Sequence, residues 1–307
     1  GQSALVFGRM DAYQDNATPI VEEMKLCKTP PKEALPDHRA QARVYAGLLT
    51  VDTDVQAVDV RVVYVNDEGE PVGVFGEIMP RAELQEHLFT LLGAWLAFAV
   101  PEREHVRLRD QSLKTLPFPF TQYRAGQREL AVQVYTAITR KKRLFASLPT
   151  GTGKSAAVLY PALKALGEGI TKKVVYLTAR TTARQSPMNA LERMREQGAD
   201  IRVVTLLAKE KMCPTGARCH PDDCPRAKGH FLRQPEAIRE LLAKRDMWTD
   251  ACVQAVADAY TLCPFELALS LCDLADVALM DMNYAFDPFA QIVRLFHRRR
   301  DFTLLAD

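Results

Sequence analysis

The chain has 307 residues, 48% hydrophobic and 25% charged, which excludes a fibrous or disordered polymer. Its length allows about two domains, and no apolar run reaches the ~18 residues of a membrane span; the nearest, Leu91 to Val100, reads as a buried helix. Net charge is only +2, but residues 1–120 hold 12 Lys and Arg against 18 Asp and Glu, so the basic excess that would attract a polyanion lies in the second half. Seven cysteines, an odd number without a basic leader segment, argue against a disulfide framework and for a reducing compartment.

In chain order, residues 4–13 and 19–27 read as strands joined by the polar turn Gln14-Asp15-Asn16-Ala17. A helix is expected near 37–50. The alternation in 57–66 predicts a strand, and Asn66-Asp67-Glu68-Gly69 turns it into another at 72–79. Residues 81–99 read as an amphipathic helix, and 101–122, with Pro101, Pro117 and Pro119, as a linker. From Tyr123 onward the pattern alternates: helix 126–140, strand 143–148, helix 154–167, strand 173–178, helix 181–197, strand 201–206. Strands at 277–281 and 302–306 follow a Cys-rich insert over 209–265. Alternation of this kind implies a mostly parallel, doubly wound sheet. The strand-like start at Ala4–Phe7 and the closing Asp301–Asp307 read as cuts through a longer chain.

Pro149-Thr150-Gly151-Thr152-Gly153-Lys154-Ser155 lies between a predicted strand and a predicted helix, the context a phosphate loop requires. Glycines let backbone N–H groups close round phosphates, Lys154 adds charge at the β and γ oxygens, and the Ser155 hydroxyl can hold Mg²⁺. Leu148 stands where the strict pattern begins with Gly.

This segment resembles superfamily-two helicases, whose Pro-Thr-Gly-x-Gly-Lys-Ser/Thr it matches residue for residue. The resemblance implies an ATP site: Tyr123 and Gln127 at the adenine, Thr150, Gly151, Thr152, Gly153, Lys154 and Ser155 at the phosphates. Leu304-Leu305-Ala306-Asp307 is similar to the strand entering the Asp-Glu-Ala-His box, with Asp307 as the Mg²⁺ acid. Val175 to Thr181 resembles the motif that holds single-stranded DNA, implying DNA contacts from Thr178, Arg180 and Thr181.

Within the insert, Cys213, Cys219, Cys224 and Cys263 offer four thiolates, the number a cubane cluster needs, and their spacing is not the paired C-x₂-C of a zinc ribbon. Zinc with His220 is the rival reading. With Cys263-Pro264-Phe265-Glu266 and Asn283-Tyr284-Ala285-Phe286-Asp287-Pro288, residues 120–307 resemble the XPD/DinG branch. That implies a [4Fe-4S] cluster on those four cysteines, 5′-to-3′ translocation on single-stranded or forked DNA, and a cytoplasmic, nucleoid-associated place in a bacterial cell. Cys252 and Cys272 read as buried apolar residues.

At the front, Glu23 and Lys25 lie two apart on a strand and share a face. The turn can bring Asp11 alongside, and Gln41 and Tyr45 share a helix face. Two carboxylates can hold a divalent cation, and the lysine can orient or activate water for phosphodiester attack. The order resembles RecB-type PD-(D/E)XK nucleases, although Met10 stands where Pro is usual. The resemblance implies Asp11, Glu23, Lys25, Gln41 and Tyr45 as catalytic residues with Mg²⁺ or Mn²⁺ on the two acids. The rival from another class is a DNA-binding scaffold with an inactive nuclease fold. The expected fold is α/β: a PD-(D/E)XK nuclease-like domain over 1–100, the linker, and a RecA-like P-loop lobe over 123–307 bearing the iron–sulfur insert.

Overall fold

The computed structural model describes residues 5–149, 151–179, 181–216, 218–244, 247–288, 292–296 and 301–307. The chain divides into two units, Gly1–Arg103 and Glu104–Asp307.

In the first unit, strands β1 (Ala12–Gln14) and β2 (Ile20–Leu26) pair antiparallel. Helix α1 (Pro36–Asp52) then crosses over, so that β3 (Ala57–Val65) pairs parallel with β2. Strand β4 (Pro71–Pro80) returns antiparallel, and the sheet order is β1-β2-β3-β4. Val58, Val60, Val62 and Tyr64 alternate onto one face of β3 and bury against Ala42 and Ala46 of α1. The Tyr64 hydroxyl accepts the Leu35 amide at 3.0 Å and lies 2.9 Å from His38 Nδ1, which pins the start of α1. Gly47 allows α1 to meet the next helix, α2 (Arg81–Thr115). A Cβ there would lie 3.0 Å from the Leu84 carbonyl oxygen.

The second unit begins within α2, at Glu104. Helices α3 (Gln127–Thr139) and α4 (Lys154–Gly167) lead to β5 (Lys173–Thr178). After a 3₁₀ turn at Thr181–Arg184 come α5 (Gln185–Glu196) and β6 (Val203–Leu206). The Cys-rich insert holds the one-turn helix α6 (Lys209–Met212), α7 (His230–Lys244), α8 (Asp250–Ala259) and the start of α9 (Pro264–Leu274). Strands β7 (Val277–Asp281) and β8 (Phe302–Ala306) complete a parallel sheet of order β6-β7-β5-β8.

Every residue of β5 is buried, as expected of a parallel strand covered on both faces. On one face Leu159, Leu163 and Leu166 of α4, Leu191 and Met194 of α5, and Leu113 of α2 pack on Val174, Tyr176 and Leu279. On the other, Ala237 and Leu241 of α7, Val253 and Val256 of α8, and Leu267 and Leu271 of α9 pack on Val175, Leu177, Val204 and Met280. Trp248, fully buried, adds a single bridge at the edge of β6: its amide donates to the Val203 carbonyl at 2.8 Å, and its carbonyl accepts the Thr205 amide at 3.1 Å.

Asp276, at the foot of β7, ties α2 to this sheet. Its Oδ2 lies 2.9 Å from His105 Nε2 and accepts the Arg202 amide at 2.8 Å, while Oδ1 accepts from Arg109 at 2.7 Å. Burial works to raise the Asp276 carboxyl, but His105 and Arg109 overcome it and hold the carboxyl below the ordinary range.

The mixed α/β character and the parallel-sheet lobe agree with expectation. Four expectations differ. Leu91 to Val100, expected as a buried helix, lies in α2 but is largely exposed, Trp95 by 52%. Residues 143–148 form no strand: Phe145 is 93% exposed, and among the described residues β8 pairs only with β5. Among the described residues of the expected strand 4–13, only Ala12 and Tyr13 join the ladder. The Asp11 carboxylate takes the Met24 amide at 2.8 Å, so a side chain replaces the next backbone partner. Helix continues through Pro101 to Thr115 where a linker was expected, because His105, Arg109 and Leu113 are anchored in the second unit's core. Among the described residues no single helix is long and apolar enough to cross a membrane; α8 and α9 pass that test only as a pair bent by 118°.

Candidate functional site

The phosphate loop lies between α3 and α4. Gly151 and Gly153 have φ of +79° and +78°, which only glycine adopts without strain. Gln127, buried on α3, accepts the Arg124 amide at 2.7 Å and donates to the Gly153 carbonyl at 3.1 Å. A Cβ on Gly153 would lie 2.3 Å from Gln127 Nε2, so the loop and the expected adenine-reading glutamine are braced together. Arg124 donates to the Gly151 carbonyl at 2.5 Å, Thr152 Oγ1 to the Pro149 carbonyl at 2.9 Å, and Lys154 Nζ to the Leu148 carbonyl at 3.3 Å. Tyr123 stacks on Phe118 with ring centroids 3.8 Å apart. Thr150 lies outside the described residues.

Ser155 and Asp307 are brought together by a third residue. Tyr176 OH lies 2.9 Å from Asp307 Oδ2 and 3.4 Å from Ser155 Oγ, and Ser155 Oγ lies 2.9 Å from Ser186 Oγ. Burial pushes the Tyr176 phenol up, keeping its proton in place at neutral pH. Sequence reasoning missed Tyr176; the signal was a polar-tipped ring in the otherwise apolar run Val174-Val175-Tyr176-Leu177.

At the end of β5, Thr178 Oγ1 is buried and has no hydrogen-bond partner among the described residues, and the same holds for two guanidinium nitrogens of Arg184. Arg180 and the Thr181 side chain lie outside the described residues.

In the insert, Cys263 is the N-cap residue of α9 and Cys213 ends α6. A hydrogen bond from Lys209 to Cys219 raises the lysine, and Lys209 also feels Cys263. The Cys263 thiol is pushed up first by burial and further by the neighbouring Cys219, whereas a hydrogen bond from Thr215 lowers Cys213. Cys224 is buried. Lys209 thus feels both Cys219 and Cys263. Among the described residues, no three His, Cys, Asp or Glu side chains converge as a metal site. Cys272 is fully buried in the apolar core and Cys252 packs against it.

The front unit gathers all five of its expected residues. Val21, Glu23 and Lys25 share one face of β2: Val21 enters the core, and the face turns polar where α1 passes over it. Lys25 Nζ lies 2.5 Å from Glu23 Oε1 and donates to Gln41 Oε1 at 3.1 Å, and Gln41 Nε2 donates to Tyr45 OH at 3.4 Å. Asp11 and Tyr45 lie near enough to act on Lys25 electrostatically. Gly8 presses against the Tyr45 ring, where a Cβ would come within 2.5 Å. Glu23 is only 2% exposed, and its Oε2 is buried with no hydrogen-bond partner among the described residues. The Glu23 hydrogen bond raises Lys25, so the lysine stays charged at neutral pH.

A left-handed glycine loop leading into a helix beside a covered parallel sheet is consistent with a P-loop nucleotide-binding lobe of the RecA-like kind. Residues 128–217 match the family model of the DEAD/DEAH box helicases. The match supports a superfamily-two helicase domain, and with it ATP hydrolysis with Mg²⁺ and action on nucleic acid. No curated protein matches the chain.

Proposed function

We propose that the chain joins an ATP-driven, 5′-to-3′ DNA helicase motor of the XPD/DinG kind to a metal-dependent DNA nuclease, acting in repair or recombination on single-stranded and forked DNA. Its domains are then the nuclease-like residues 1–100 and the motor residues 123–307. The observation that carries the nuclease half is the network of Glu23, Lys25, Gln41 and Tyr45 with Asp11 beside it, in which one buried Glu23 oxygen has no partner among the described residues. A divalent cation held by Asp11 and Glu23 would neutralise charge on the scissile phosphate. Lys25, kept cationic, orients the attacking water and steadies developing negative charge rather than removing the proton. Gln41 holds Lys25, and Tyr45 holds Gln41.

The test is cleavage of single-stranded DNA by the full chain with Mg²⁺ or Mn²⁺, against an EDTA control. Binding without cleavage under either metal would favour the second reading, a DNA-binding scaffold. That reading draws on the 2.5 Å Lys25–Glu23 pair and the Asp11–Met24 hydrogen bond, which already engage one oxygen of each acid.

At the motor, Lys154→Ala removes a charged contact worth about 1.5–3 kcal/mol, so ATP affinity falls roughly 10- to 150-fold in an equilibrium titration. Undiminished binding would reject Lys154 as the phosphate lysine.

For the insert, the reading is a [4Fe-4S] cluster on Cys213, Cys219, Cys224 and Cys263, supported by their number and spacing. Protein purified without oxygen is expected to be brown, with a broad visible band that dithionite bleaches. Cys213→Ala and Cys263→Ala abolish the band, and Cys272→Ala keeps it. A colourless protein carrying one zinc and no iron would instead support the zinc reading with His220.

A further inference from the structure

We infer that Tyr176 is a positioning residue for the divalent cation of the ATP site: its hydroxyl fixes the Asp307 carboxylate and the Ser155 hydroxyl at the separation that lets both serve one ion. The inference rests on the reading of Lys154, Ser155 and Asp307 as the ATP–Mg²⁺ site.

Three elements meet here. Ser155 is in the first turn of α4, Tyr176 lies mid-way along β5, and Asp307 follows β8. Strands β5 and β8 pair in parallel with Tyr176 opposite Leu305, and the Asp307 amide donates to the Leu177 carbonyl at 3.1 Å. The backbone ladder thus brings Asp307 to the end of β5. The Tyr176 ring, 1% exposed and held by the apolar core under α4, then sets how far the carboxylate stands from Ser155.

A phenol has one proton and two oxygen contacts here. The charged carboxylate at 2.9 Å takes the proton, since charge-assisted hydrogen bonds are the stronger kind. Ser155 Oγ, at 3.4 Å, is the longer of the two contacts, and with the phenol proton on Asp307 the tyrosine oxygen is left there as an acceptor only. The Ser155 proton is directed to Tyr176 or to Ser186, 2.9 Å away, and a serine lone pair is left for a cation. One hydroxyl in this way touches two ligands: it holds one Asp307 oxygen by donation and limits how far Ser155 stands from it. Residues that orient metal ligands through hydrogen bonds are typically worth about 10- to 100-fold in metal affinity. A purely structural tyrosine at this place would fill the core and satisfy its own hydroxyl, with no consequence for the ion.

The experiment is a titration of the full chain with ATP, wild type against Tyr176→Phe, each with Mg²⁺ and with EDTA. Phenylalanine keeps the ring and the packing. Asp307 is exposed and Ser155 retains Ser186, so the variant is expected to fold, and a thermal melt confirms it. The expected result is that the ratio of affinities with and without Mg²⁺ falls roughly tenfold in Tyr176→Phe, while affinity in EDTA is unchanged. A ratio equal to that of wild type overturns the inference. So does an equal loss in both buffers, which would mark Tyr176 as structural. If wild type itself shows no Mg²⁺-dependent gain, or if Lys154→Ala binds as wild type does, the ATP-site reading fails and the inference goes with it.

Discussion

Lys25→Ala is expected to lower metal-dependent cleavage of single-stranded DNA by roughly 10²- to 10³-fold while ATP hydrolysis by the motor is unchanged. The lysine stands between Glu23 and Gln41 and, among the described residues, is the positive charge in contact with the buried acid. Its removal withdraws both the charge that orients water and the anchor for Gln41. Because the Glu23 hydrogen bond raises Lys25 above its ordinary value, the cationic form persists through the alkaline range in which most lysines are still charged. Cleavage should therefore not decline between pH 7 and 9 through loss of this proton. A rate that falls over that window in parallel with lysine titration would show that Lys25 is not held as described. A variant that cleaves as wild type would reject its role outright.

Asp276→Ala is expected to cost about 3–5 kcal/mol of stability, the usual effect of removing one partner from a buried ion pair. Arg109 would lose its buried counter-ion, His105 its partner and the Arg202 amide its acceptor. Urea denaturation of the full chain, followed through the helices of the second unit, measures it. A change below about 1 kcal/mol would mean that water replaces the carboxylate. The pH dependence follows from the same group. The folded Asp276 carboxyl titrates below its unfolded value, so its contribution is fully present above the unfolded pKa of about 3.9. It is lost as pH falls through the folded value, and the alanine variant should lack that part of the acid transition.

How much could be read from the sequence depended on how local the cause was. Gly151 and Gly153 announce left-handed backbone, and the loop forms where they stand. Glu23, Lys25, Gln41 and Tyr45 follow strand and helix periods, and β2 and α1 bring them together. Asp276 was silent, because nothing near it in sequence signals a partnership with Arg109, 167 residues away. The same distance problem hid the length of α2. Pro101 is a local stop signal, and it is overruled by contacts at His105, Arg109 and Leu113. At residues 143–148 the composition favours a strand, but β pairing is decided by the available edge rather than by the segment itself, and this one is exposed.

The Cys-rich segment shares the hydrophobic core of the sheet. Were residues 209–265 excised, Val175, Leu177, Val204, Ala278 and Met280 would lose the cover that α7, α8 and the start of α9 provide. Exposing each large side chain costs about 1.5–3 kcal/mol, and together they would exceed the margin by which most domains stay folded. The segment is therefore no cassette that a lineage could acquire or discard in one step. A relative without it must cover that face with other helices, and a swap of this segment between homologues should succeed only when the opposing strand residues travel with it.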